Sequence, residues 1–231
     1  MKIEQTGDIK PTESIVMVVY GKAGVGKTTF GASAPKPLLL DFENGSKYLG
    51  KRGINIPVSR FAKWLTAEDK AELKKALPDY DTIIIDPLGE VMEKIIESDT
   101  IKGNKYRMSD GNPTIAGWGE IKKQMRSFIK WLRDAGKNVI IVSHTVEEKS
   151  EGGLVHRIQV ATKIKDEIPN MVDIISYMSI QQKDEDLFRV LYTPAQSDKF
   201  DSKDRTGTVP MTVAVSELNG WDDLMKSMGV K

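Results

Sequence analysis

The sequence predicts an α/β protein built on a mainly parallel central sheet flanked by helices, with antiparallel strands toward its C-terminal end. Three observations carry this. Apolar runs of strand length recur along the chain, and several are apolar on both faces, the pattern of a sheet covered on each side. Segments of helical periodicity alternate with them. A glycine-rich turn follows the first run and opens a helix, as a phosphate-cradling turn must.

The runs are Ser14–Tyr20, Pro37–Leu40, Thr82–Ile85, Asn138–Val142, Ile174–Ile180 and Leu187–Tyr192, each bounded by Gly, Pro, Asp or Asn. Ala67–Leu77 and Trp118–Leu132 read as helices between them. In the second, Trp118, Ile121, Met125, Phe128 and Leu132 share one face, and Lys122, Lys123, Arg126, Lys130 and Arg133 lie elsewhere around it, as on a solvated helix. Val209–Val215 reads as a late strand, with a C-terminal helix after it. A length of 231 residues, 39% hydrophobic, fits one domain with a continuous core over roughly residues 14–215.

Composition narrows the chemistry. With no cysteine, a disulfide scaffold and a thiolate zinc site are excluded and a reducing compartment, the cytoplasm, is expected. The opening MKIEQTGDIKPTES lacks an apolar signal core, and no run approaches the roughly 20 apolar residues of a membrane span, so no membrane partner is expected. The formal net charge of +1 leaves nucleic-acid binding to local basic patches.

The strongest chemical signal is VVYGKAGVGKTTFGA. Gly21, Lys22, Ala23, Gly24, Val25, Gly26, Lys27, Thr28 and Thr29 make up a G-x-x-x-x-G-K-[ST] loop between strand and helix. The glycines let the backbone wrap a phosphate and aim its N–H groups inward at the positive end of the helix. Lys27 can place an ammonium between β- and γ-phosphates, and the Thr28 hydroxyl can ligate Mg2+. In DYDTIIIDPLGEV, Asp86 ends an apolar strand, where a carboxylate can hold that Mg2+ beside Thr28. Read alone, such an aspartate caps the next helix as often. No N-K-x-D element follows, so ATP is the expected nucleotide rather than GTP. In PLLLDFENG, Glu43 can orient or deprotonate the water that attacks the γ-phosphate; Asp41 is the competing candidate, and a helix-capping cluster is the plainer alternative. His144 ends another apolar strand, where a packed histidine and a γ-phosphate sensor are both open.

Two segments have loop composition. Asp99–Gly117 holds Lys102, Lys105, Tyr106 and Arg107 among three glycines, and Glu147–Lys163 holds Lys149, His156, Arg157 and Lys163 around Gly152 and Gly153. Cations beside an aromatic suit single-stranded DNA, whose phosphates take the charge while a base stacks; solvated loops are the alternative. A third basic cluster, SDKFDSKDRTGT, carries Lys203 and Arg205. By itself it is a polar hairpin loop between Leu187–Tyr192 and Val209–Val215.

The order strand, GKAGVGKTT, strand, DFEN, strand, IIIDP, strand, VSHT resembles the RecA-like P-loop ATPase core, over roughly residues 14–210. The resemblance implies an ATPase in which Glu43 acts on water and His144 senses the γ-phosphate. It also implies that Lys203 and Arg205, which match a Lys-x-Arg element, reach into the ATP site of a neighbouring subunit in a homo-oligomer. The two basic segments occupy the places of DNA-binding loops in RecA-like recombinases. With its short length the chain looks most similar to phage-encoded RecA-like single-strand annealing ATPases, which implies DNA-stimulated hydrolysis, a role in annealing or recombination in a bacterial host, and a single-strand-binding protein as a further partner. Met1–Glu13 is shorter than the oligomerising segment that recombinases carry ahead of this core. The phosphate loop also resembles the K-G-G-x-G-K-T-T of partition ATPases, with Ala23 in place of the first paired glycine and Glu43 in place of the second aspartate of their D-x-D. That resemblance implies an ATP-dependent dimerising switch that acts on a protein partner.

Overall fold

The computed structural model describes residues 14–103, 105–184, 186–194 and 197–230; Met1–Glu13 and the side chain of Lys163 lie outside them. In chain order the first half contains β1 Val16–Gly21, α1 Lys27–Ala32, β2 Pro37–Asp41, β3 Val58–Arg60, α2 Ala67–Ala76, β4 Thr82–Asp86, α3 Leu88–Ile96, α4 Asp99–Lys102 and α5 Ile115–Asp134. The second half contains β5 Asn138–Ser150, β6 Gly153–Ile158, α6 Thr162–Lys165, α7 Ile168–Met171, β7 Ile174–Lys183, β8 Asp186–Tyr192, β9 Lys203–Asp204, β10 Thr212–Val215 and α8 Gly220–Ser227.

The strands form one sheet in the order β10-β8-β7-β1-β5-β4-β2-β3. From β7 through β3 neighbouring strands run parallel, whereas β8 pairs antiparallel with both β7 and β10. The expected α/β class, with its late antiparallel strands, is what the chain adopts. Alternation along the central strands explains why both faces are apolar. Val139 and Ile141 of β5 join Ile83 and Ile85 of β4 in a core closed by Ile121, Met125, Phe128 and Leu132 of α5, while Ile140 packs through the other face with Phe30 of α1 and Trp221 and Leu224 of α8. Asp69 and Thr66 form a reciprocal cap that starts α2, and the Thr114 hydroxyl accepts from Gly117 N–H at 3.1 Å to start α5.

This order sets the site. The P-loop strand β1 lies between β5 and β7, so the carboxyl ends of β2, β4, β5 and β1 open onto one edge, where loops from α/β strands collect ligands. A side chain at Gly21, the last residue of β1, is excluded by its neighbour: a Cβ there would lie 2.3 Å from the Met178 carbonyl oxygen of β7. Because that oxygen belongs to backbone, Gly21→Ala is expected to cost about 3 kcal/mol. The thermal midpoint should fall by roughly 6–12 °C in a calorimetric scan, and an unchanged midpoint would contradict the contact.

Three segments differ from their loop-like composition. Residues 147–150 continue β5, and 153–158 return as β6 in register from Thr145↔Ile158 to Ser150↔Gly153, so the second basic segment is mostly a hairpin. Gly153, at φ 111°, makes the reversal possible where a side chain would be strained. Within Asp99–Gly117, residues 99–102 form α4, and Arg107 bridges to Pro113. Lys203 and Asp204 pair with Ile175 and Ile174 as β9, so the SKDR stretch is braced against β7 instead of hanging as a hairpin tip.

Candidate nucleotide-binding site

The phosphate loop is held in an anion-ready shape by its glycines. Gly24 and Gly26 have φ of 80° and 98°, in the left-handed region that glycine enters without penalty, and Gly26 caps α1. Lys27 folds back across the loop, and its Nζ donates to the carbonyl oxygens of Gly21 at 3.0 Å and Lys22 at 2.8 Å. Burial pushes the Lys27 ammonium down to about 8, with the charges of Asp86 and Glu43 opposing the shift. With no ion pair to Lys27 among the described residues, the buried ammonium could take an anion directly.

Thr28 and Asp86 come together from elements 58 residues apart: the Thr28 hydroxyl donates to Asp86 Oδ2 at 2.5 Å. Burial raises the Asp86 carboxyl to about 6, opposed by the Thr28 hydrogen bond and Lys27, and reinforced by the negative charges of Glu43 and Asp41. A desolvated carboxylate touching a threonine hydroxyl beside the lysine fits Mg2+, which needs few protein ligands and otherwise takes phosphate oxygens and water.

The two acidic candidates at the end of β2 separate by geometry. Asp41, 2% exposed, accepts from the backbone N–H groups of Glu43 at 3.1 Å, Gly45 at 3.3 Å and Ser46 at 3.0 Å. That carboxylate is spent on shaping its loop. Glu43 keeps a half-exposed side chain whose Oε2 lies 3.9 Å from His144 Nε2 at the end of the inner part of β5. Lys27, Thr28, Asp86, Glu43 and His144 all line one cavity of about 200 Å³.

The profile of a family described as AAA domain, AAA_24, matches residues 13–206. The chain belongs to this family. The AAA domain is 28% identical over 180 residues to the SPbeta prophage-derived uncharacterized protein YorG of Bacillus subtilis (strain 168), an alignment that covers 77% of this chain and 54% of that one. The chain thus spans about half the length of that curated relative. Two solved structures also resemble it, each with 89% of this chain and 87% of the other covered. They are the KaiC-like protein PH0186 from Pyrococcus horikoshii OT3, at 13% identity and TM-score 0.46, and the flagellar accessory protein FlaH from Methanocaldococcus jannaschii, at 10% identity and TM-score 0.48. Family, motif and sheet order agree on an AAA domain with a phosphate loop at the edge of a mainly parallel sheet.

Ala23, Gly24, Gly26 and Thr29 of the phosphate loop also line the cavity of this AAA domain, whereas the basic residues of the later segments do not. Lys102 and Lys105 are exposed, with Lys105 Nζ 5.3 Å from the Tyr106 ring centroid, but Tyr106 packs on the core and Arg107 turns inward to donate to the Ile96 carbonyl at 2.7 Å. In the hairpin Lys149 is exposed beside Glu147, Glu148 and Glu151, and Arg157 pairs with Asp201 at 3.0 Å. Lys203 donates to the carbonyl oxygens of Pro169 and Val172, and Arg205 pairs with Asp173 at 3.2 Å, at the amino ends of β7 and β1.

Three contributors escaped the sequence reading. Tyr48 and Arg52 line the cavity from the two 3-10 turns Gly45–Tyr48 and Gly50–Arg52, which follow Glu43 closely enough that the glycine-rich GSKYLGKRG was a usable signal. Arg189 of β8 places its Nε 3.1 Å from the Val25 carbonyl oxygen, 164 residues away, where no local pattern announces it. Lys22 also forms a 2.7 Å ion pair with Glu147, joining the loop to the hairpin.

Proposed function

We propose that this AAA domain binds Mg-ATP at Gly21–Thr29, hydrolyses it, and works as a homo-oligomer that binds single-stranded DNA in annealing or recombination, in a phage setting within a bacterial host. The observation that carries the ATPase reading is the meeting of Lys27, Thr28, Asp86, Glu43 and His144 at one sheet edge. Lys27 and the loop amides take the β- and γ-phosphates. Glu43 accepts a proton from water as its oxygen bonds to the γ-phosphorus and the bond to the bridging oxygen breaks, releasing ADP. Thr28 and Asp86 would hold Mg2+, which would supply positive charge to the phosphate oxygens. His144, within reach of Glu43, relates the state of the site to the hairpin that begins just beyond it.

Exposed Lys102 and Lys105 and the prophage origin of the relative support the DNA reading. ATPase assays with and without single-stranded DNA test it. Turnover is expected to rise several-fold with DNA, and retention of DNA should fall steeply with salt as phosphate contacts release counterions. Unstimulated turnover with no retention at low salt overturns it. One observation favours the other reading, an ATP-dependent switch for a protein partner: the β5–β6 hairpin is rich in glutamate and exposes Val146 and Leu154.

A further inference from the structure

Arg189 has no place in the motifs, yet it lies against the outer wall of the phosphate loop's turn. Strand register fixes it: β8 pairs Arg189 with Ile180 of β7 on one side and Val215 of β10 on the other. From there the side chain, 23% exposed, crosses to the loop, where Nε donates to the Val25 carbonyl at 3.1 Å and Nη1 lies 3.4 Å from Glu217 Oε2. The guanidinium lies so close to Gly26 that a Cβ there would sit 2.6 Å from Arg189 Nε. Gly26 therefore has two reasons to be glycine, its φ of 98° and the arginine lying against it.

The consequence follows from peptide geometry. In a trans peptide the C=O and the following N–H point in opposite directions. Holding the Val25 carbonyl outward on Arg189 aims the Gly26 N–H into the loop, where the β-phosphate of a nucleotide would accept it. Nothing else among the described residues hydrogen-bonds the Val25 carbonyl. We infer that Arg189 is a positioning residue for phosphate binding: tethered by Glu217, it sets the Val25–Gly26 peptide so that the Gly26 amide faces the phosphate. This rests on the ATP-binding reading above.

The test uses the full chain and compares wild type with Arg189→Met, Arg189→Lys and Glu217→Gln. Titrations with ATP, inorganic tripolyphosphate and AMP would be run beside melting curves. Arg189→Met is expected to weaken ATP and tripolyphosphate about tenfold, as loss of a charge-assisted hydrogen bond does, with AMP, which has no β-phosphate, unchanged within twofold. Arg189→Lys, which keeps a donor for Val25, should recover most of the loss. In 15N-labelled wild type the Gly26 amide resonance should move on adding ADP. ATP binding by folded Arg189→Met within twofold of wild type, or equal losses for ATP and AMP, overturns the inference. A Gly26 resonance that stays in place while wild type binds ADP does the same, even if Arg189→Met does not fold. Wild type that binds neither ATP nor ADP instead takes down the nucleotide reading itself.

Discussion

Glu43→Gln is expected to lower ATP turnover by 10²- to 10⁴-fold while ATP affinity stays within about threefold of wild type. Glutamine keeps the size and hydrogen-bonding reach of the side chain but cannot take a proton from water at neutral pH. Availability favours Glu43 over Asp41. Asp41 already accepts three backbone N–H bonds and is 2% exposed, so proton transfer to it would break the turn that it organises. Glu43 has no such duties and faces His144. The two replacements should therefore separate: Asp41→Asn lowers the melting temperature, and Glu43→Gln lowers kcat alone. Unchanged turnover in Glu43→Gln, with turnover lost in a fully folded Asp41→Asn, would move the role to Asp41.

The parts of the site legible in the sequence are those whose chemistry is local. The loop Gly21–Thr29 declares itself within nine residues because backbone conformation, helix start and lysine position must occur together. Asp86 is legible because an apolar strand ends on it and the sheet order then delivers it to Thr28. The basic segments are different. Composition placed Arg107 and Arg157 on DNA-binding loops, but where a guanidinium points depends on acceptors elsewhere in the chain. Arg157 finds Asp201, 44 residues on, and Arg107 finds the Ile96 carbonyl. The hairpin was hidden because the glutamates and glycines of Glu147–Lys163 read as loop; Val155 and Ile158, its buried residues, stand three apart, which breaks the strict alternation of a strand, and only the pairing from Thr145↔Ile158 to Ser150↔Gly153 shows it. Arg189 could not be found at all without knowing that β8 lies two strands from β1.

Arg205→Ala is expected to cost about 10³-fold in ATP turnover under conditions of assembly, if Arg205 supplies transition-state charge to a neighbouring subunit. Its own phosphate loop is out of reach. Arg205 pairs with Asp173, whose carboxylate also accepts from Val16 N–H at the start of β1, whereas the loop begins beyond Gly21 at the other end of that strand, roughly 16 Å away at the rise of a β-strand. Supply can only come in trans. Release from Asp173 is inexpensive: the Arg205 side chain is half exposed, and exposed ion pairs contribute about 0–1 kcal/mol. Lys203 is held differently, by two carbonyl acceptors, and burial lowers its pKa, so Lys203→Ala should lower stability more than Arg205→Ala does. Turnover per chain should rise with protein concentration. Mixing Arg205→Ala with Lys27→Ala chains in equal amounts should restore about a quarter of wild-type turnover, the share of head-to-tail interfaces that join an intact loop to an intact arginine. A rate strictly proportional to concentration, with no recovery on mixing, would leave Arg205 and Lys203 as the brace that fixes β9 against β7.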